Sequence, residues 1–323
     1  MRWGQAYLPP PSLSRTVAAP LLFIGETLVD LICEHPVADW SQADAFVPHF
    51  GGAPTNAAIV AARCGAAVAL GGGVGDDQWG RWLEAQLLAE RVDLRWWARL
   101  PDVQTAVAFV AIDEHAVPDF VIYGQGIEPA LLALEPRLDD VLGACAALEL
   151  GSNTCVGEQE RAVSERAREL ALGGGKPVFV DVNLRLHRWP DPATAVAVVR
   201  RLCTDALLVK VSGEEARLLT DETDPARAAE RICSSLGARL AVVTLGADGA
   251  LLRGEARADA AGVAARVVDT TGAGDAVTGV LLAALAASGF DPAAAAEALP
   301  RAVTVAARST EAYGAVEALA QSL

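Results

Sequence analysis

The segment Asp269-Thr-Thr-Gly-Ala-Gly-Asp275 runs directly into Ala276-Val-Thr-Gly-Val-Leu-Leu-Ala-Ala-Leu285. The second half is a helix-forming run, so the glycines stand where a helix begins. There the free backbone amides and the helix dipole favour an anion. Gly272, Ala273 and Gly274 have little or no side chain to hold a phosphate away. Asp275 follows in the first turn, where a carboxylate repels a phosphate unless it has another task. One such task is to accept the proton of an attacking hydroxyl during phosphoryl transfer. The same residues also fit a plain tight turn followed by a favourable first-turn acid.

A second set lies near the N-terminus. Gly51-Gly-Ala-Pro-Thr-Asn56 precedes a helical run from Ala57 to Cys64, with Asn56 as its expected cap. Paired glycines there suit a hinge or a close backbone approach to a ligand. Asp30 follows the first apolar run. Ligands of open parallel sheets bind beyond the carboxyl ends of the strands, so Asp30 and Asn56 are candidates to bind hydroxyls. Each also fits an ordinary cap or turn. The run Leu70-Gly-Gly-Gly-Val-Gly-Asp-Asp-Gln-Trp-Gly80 has no G-x-G-x-x-G register, and neither lysine of the chain completes a phosphate-loop motif.

These residues need a frame, and the apolar pattern supplies one. Leu21–Gly25, Ala67–Leu70, Val178–Asp181, Ala206–Lys210 and Leu240–Thr244 are short unalternated runs, which read as strands buried on both faces. Amphipathic stretches at Trp79–Arg91, Glu158–Leu172 and Pro225–Leu236 read as helices. The alternation predicts an α/β fold with an open, mostly parallel sheet between helices. Two segments depart from it, about 31–50 and 95–125. The second holds an alternating hairpin, Thr105–Asp113 and Asp119–Tyr123, which predicts a small β-sheet lid. Residues 1–20, with three consecutive prolines at 9–11, read as a tail outside a single domain spanning 21–323.

Composition narrows the function. The 323 residues carry 41 acidic and 26 basic side chains, a formal charge of −15, and only Lys176 and Lys210 are lysines. A nucleic-acid partner or a polybasic membrane anchor is therefore not expected. No apolar run is long enough to span a bilayer. The six cysteines form no C-x-x-C pair, and with four histidines no zinc site is expected. Buried free thiols and a cytoplasmic location follow.

Taken together, Gly51–Gly80 and Asp269–Gly279 resemble the two signatures of the ribokinase-like (pfkB) carbohydrate and nucleoside kinases, over roughly Leu21 to Ala315. The resemblance implies a helix-flanked sheet with a β-sheet lid, ATP as phosphoryl donor, and Mg²⁺. It implies that Asp275 is the base and that Gly272, Ala273 and Gly274 form the anion hole. Asp30, Gly51, Gly52 and Asn56 would hold the sugar, and Arg185 would face the substrate or the transferred phosphate; a surface arginine is the alternative. Thr244, Gly246 and Gly249, in Thr244-Leu-Gly-Ala-Asp-Gly249, resemble the lining of the ATP site, with Lys210 as a phosphate cation. Asp269 and Thr271 resemble ligands of a monovalent cation such as K⁺. The family's N-x-x-E motif appears as Ser212-Gly-Glu-Glu215, with Glu215 arranging water around Mg²⁺ or acting only as a capped helix-start acid.

Gly25–Ile32, Asp181-Val-Asn-Leu-Arg185 and Val209–Glu215 are most similar to the fructokinase branch. The expected substrate is a neutral sugar, fructose or a related ketose, phosphorylated on a primary hydroxyl. Ribose, aminoimidazole riboside, 2-keto-3-deoxygluconate and adenosine are the alternatives, and a non-catalytic sensor on the same fold is the alternative of another class. Gly124 stands where many fructokinase-like lids carry arginine, which argues against an acid sugar. The resemblance also implies pairing of two chains through the lid edge.

Overall fold

The computed structural model describes residues 19–124 and 126–323, so the expected tail lies outside the described residues except for its last two positions. Thirteen strands are β1 (Leu21–Ile24), β2 (Leu28–Cys33), β3 (Phe46–Gly51), β4 (Val68–Gly75), β5 (Asp93–Leu100), β6 (Val107–Ile112), β7 (Pro118–Tyr123), β8 (Ala147–Gly151), β9 (Val178–Asp181), β10 (Leu208–Ser212), β11 (Leu240–Thr244), β12 (Gly249–Gly254) and β13 (Ala258–Ala261). Nine of them form one sheet in the order β13-β12-β11-β10-β9-β8-β1-β4-β5. Only its β12 and β13 end is antiparallel. The other four form a separate sheet, β3-β2-β6-β7.

The unalternated apolar runs do what their composition requires. Along β1, Leu21 and Phe23 enter the core beneath the helices Ala53–Arg63, Ala273–Ala287 and Pro292–Ser309. Leu22 and Ile24 enter the core on the opposite face, under Glu158–Gly173, Pro192–Cys203 and Pro225–Leu236. Three of these helices start with the same device, an aspartate cap followed by proline: Asp191-Pro192, Asp224-Pro225 and Asp291-Pro292. The carboxylate accepts a first-turn amide, and proline presets the backbone angle where no donor is needed.

One expectation changes here. Residues 93–100, grouped in part with the small sheet, form the edge strand of the large one. Trp96 explains this, because it is 6% exposed and packs with Leu131 and Leu134 in the core beneath the large sheet. The small sheet is instead built from 28–33, 46–51, 107–112 and 118–123. The glycine-rich run after Leu70 belongs, as far as Gly75, to the buried strand β4.

Candidate active site

A cavity of about 880 Å³ opens between the two sheets. Asp275 stands at its floor, in the third position of the Ala273–Ala287 helix. Gly272 caps that helix with φ +76°, and a Cβ there would collide with Ala315. A side chain at Gly274 would lie 2.5 Å from Lys210 Nζ. The helix start is therefore open because both positions are glycine, and its first amides face the cavity without partners in their own helix.

Asn56 sits in the same cavity, but not as a cap. Its helix begins at Ala53 with Gly52 as the cap, which places Asn56 in the first turn. This correction has a simple cause: Pro54 belongs to the helix start rather than to a preceding loop, as proline favours the first turn. From there Asn56 Nδ2 donates to Asp275 Oδ2 at 2.9 Å. Gly52 has φ +99°, and a Cβ there would strike the Glu26 carbonyl. Gly51 does not line the cavity, but its missing side chain makes room for Asp30 Oδ1, 2.5 Å from where a Cβ would be.

Asp30 lines the cavity from β2. Burial, with the charges of Asp269 and Asp275, holds its carboxyl well above the ordinary range. Burial, then the charge of Asp181, pushes Asp275 up to about 7, against the pull of Lys210, the Asn56 bond and Arg185. A carboxyl at that value is well matched to general-base work near neutral pH.

Lys210 projects from β10 and pairs with Asp181 at 3.0 and 3.2 Å. Burial disfavours its charge, but Asp181, Glu215 and Asp275 outweigh this and raise its pKa. Asp181 Oδ2 also accepts the Thr278 hydroxyl at 2.6 Å, one turn into the helix that begins at Ala273. Arg185 lines the cavity and is exposed.

Of the other expected residues, all but Thr271 lie outside the cavity. Glu215 forms a capping box with Ser212, accepting its amide at 2.7 Å, and also accepts the Leu184 amide at 2.6 Å. Thr244, Gly246 and Gly249 surround the turn from β11 to β12, where Thr244 pairs in register with Ser212 at the carboxyl edge of the sheet. Asp269 is fully buried and accepts the amides of Thr271 and Gly314 at 2.8 and 2.9 Å. Thr271 lines the cavity, and its hydroxyl is buried with no partner among the described residues.

Sequence reasoning passed over Glu26, Asn153 and Arg188, which also line the cavity. Asn153 donates to Glu26 at 3.0 Å, and Arg188 donates to the Asn153 side chain at 3.3 Å. All three follow the carboxyl ends of β1, β8 and β9. The rule that ligands bind beyond strand ends was the available signal.

Comparison with known proteins agrees with this geometry. The description "pfkB family carbohydrate kinase" matches residues 19–321. Fructokinase-1 of Oryza sativa subsp. japonica is 33% identical over 263 residues, 80% of each chain. The fructokinase of Vibrio cholerae, solved with fructose, ADP and calcium ion, superposes with a TM-score of 0.79 at 29% identity, covering 93% of this chain and 95% of that one. The aminoimidazole riboside kinase of Salmonella enterica, complexed with aminoimidazole riboside and an ATP analogue, gives 0.74 at 27%, covering 93% and 96%.

Proposed function

The chain belongs to the pfkB family of carbohydrate kinases and is a phosphotransferase acting on a sugar hydroxyl, and we propose that its acceptor is a primary hydroxyl of fructose or a related ketose. One observation carries the site assignment: Asp275 is a half-buried carboxyl whose pKa is pushed up to about 7, set at a glycine-opened helix start and held by Asn56. In this reading Asp30 and Asn56 orient the sugar, and Asp275 takes the proton of the attacking hydroxyl. Its oxygen bonds to the γ-phosphorus as the bond to ADP breaks. The amides beside Gly272, Ala273 and Gly274 absorb the developing charge, with Lys210 and Arg185.

Bound with ATP, Mg²⁺ would supply neutralising charge to the transferring phosphates. Glu215 fits a role toward it through water, since each of its oxygens keeps a second lone pair beyond its amide bond. The unpartnered Thr271 hydroxyl beside Asp269 fits a monovalent cation such as K⁺. Thr244, Gly246 and Gly249 are suited to the nucleotide base, on the same sheet edge as Ser212. The small sheet acts as the lid. Its edge strand β7 exposes Val121, Ile122 and Tyr123, which supports pairing of two chains there. All six cysteines are free, which supports a cytoplasmic setting.

The test is Asp275→Asn. We expect ATP binding to persist while turnover drops at least about 100-fold, the low end for general-base catalysis. Near-wild-type turnover would sink the assignment. A panel of fructose, ribose, 2-keto-3-deoxygluconate, aminoimidazole riboside and adenosine, each with ATP, checks the acceptor. Turnover confined to the nucleosides would refute the ketose.

A further inference from the structure

Away from the cavity, three side chains with metal-binding atoms converge at one end of the small sheet. Cys33 ends β2, His35 follows it, and Asp44 stands just before β3, at the end of the loop that joins the two strands. Cys33 Sγ lies 3.3 Å from His35 Nε2, and the same nitrogen lies 2.8 Å from Asp44 Oδ1. All three ligand atoms fall within 4.8 Å of one another. None of these residues lines the cavity.

We infer that Cys33, His35 and Asp44 form a site for a borderline-soft divalent cation of the Zn²⁺ class, with a fourth position left to water. The donor atoms argue for this first. The other ring nitrogen of His35, Nδ1, faces the Pro36 carbonyl at 3.4 Å. A proton on Nδ1 satisfies that carbonyl, as the outer nitrogen of a metal-bound histidine usually does. Nε2 is then bare and faces both a thiol and a carboxylate. A proton serves at most two of these donors at a time, whereas a cation serves all three at once. A thiolate, an imidazole and a carboxylate together suit Zn²⁺, whose bonds of about 2.3 Å to sulfur and about 2.0 Å to nitrogen and oxygen place the donors roughly 3.3–3.6 Å apart. The sulfur–nitrogen separation already fits. The nitrogen–oxygen pair must open by a few tenths of an ångström, and the side chains of His35 and Asp44, 47% and 77% exposed, are free to do so.

The frame is the second argument. Cys33 is fully buried against Val37 and Ala111. The Val37 amide bonds to the Ile112 carbonyl of β6 at 2.8 Å. The turn before Asp44 is capped by Asp39, and its Trp40 donates to Asp119 of β7 at 2.8 Å. The three ligands thus hang from a braced loop, as a preorganised site requires. Binding releases the thiol proton to solvent and replaces the contact between His35 and Asp44 with two metal bonds.

The test uses the whole protein, stripped by a chelator and titrated calorimetrically with Zn²⁺ in the absence of nucleotide and Mg²⁺. Co²⁺ in place of Zn²⁺ reports a thiolate ligand through its charge-transfer absorption. One equivalent and a thiolate band are expected, and both persist in Asp275→Asn. Cys33→Ser should abolish the band and weaken Zn²⁺ at least about tenfold, and the exposed change Asp44→Asn, which leaves the core intact, should also weaken it. A wild-type protein without the band, a band that survives Cys33→Ser, or Zn²⁺ affinity unchanged in both variants overturns the site.

Discussion

Asp275, the base we propose, is a carboxyl whose fitness for that role lies in its surroundings. Burial and the Asp181 charge raise its pKa to about 7, and Lys210, Asn56 and Arg185 stop it rising further. A base works only when deprotonated. The kcat/KM for the sugar is therefore expected to fall as pH drops below about 7 and to level off above it, a limb that a kcat/KM profile from about pH 5 to about pH 9 resolves. An ordinary carboxylate, near 4, would show a flat profile over that range and would remove Asp275 from the role. Its neighbour Glu149 is buried, one oxygen lacks a partner among the described residues, and burial with the Asp181 charge holds its pKa well above the usual range.

At the scale of the element, the start of the Ala273–Ala287 helix is where two glycines do different things. Gly272 needs its positive φ, and a Cβ would meet Ala315, part of which is backbone. Gly274 has no such backbone demand, and a Cβ there meets only the end of the Lys210 side chain. Gly272→Ala should therefore cost more than about 1 kcal/mol in urea unfolding, because both the conformation and the space are wrong. Gly274→Ala should leave stability nearly unchanged yet lower kcat and raise the KM for ATP, by displacing Lys210 and narrowing the anion site. The opposite pattern, a stable Gly272→Ala and an unfolded Gly274→Ala, would show that the two roles are misassigned. The capping box at Ser212 belongs to this scale too. It was legible as a helix start, but the second bond of Glu215, to Leu184, joins residues 31 positions apart and has no trace in local spacing.

At the scale of the whole molecule, the C-terminal segment backs the site. Ala315 packs behind Gly272, and the Gly314 amide holds Asp269. Arg63 fastens that segment to the body. It bonds both oxygens of Glu90 at 2.7 and 2.9 Å, and donates to the carbonyls of Val316 and Leu319 at 2.7 and 3.2 Å. The Arg63 and Glu90 side chains are 5% and 9% exposed, so Arg63→Ala leaves a buried carboxylate without its cation. A loss of about 3–5 kcal/mol in chemical denaturation is expected, with reduced turnover in the surviving fold. A loss below about 1 kcal/mol would mean the segment is held by its apolar contacts alone.

The sequence by itself determined whatever depends on neighbours along the chain. Asp275 follows two glycines at the mouth of a helix-forming run, and the apolar runs were long enough to be strands and too unbroken to face water. The charge of −15 made a polyanion an unexpected partner without counting against ATP, because amides at a helix start can bind phosphate without a lysine-rich surface. Tertiary structure alone decided what depends on packing. It set Asn56 against Asp275 across 219 residues, paired Asp181 with Lys210 under the anion site, moved residues 93–100 to the large sheet, and brought Asp44 back to Cys33 and His35. The physical reason is range: caps, turns and periodicity act over a few residues, whereas the pKa of Asp275 and the ligands of any metal are set by groups that meet only when the chain has folded.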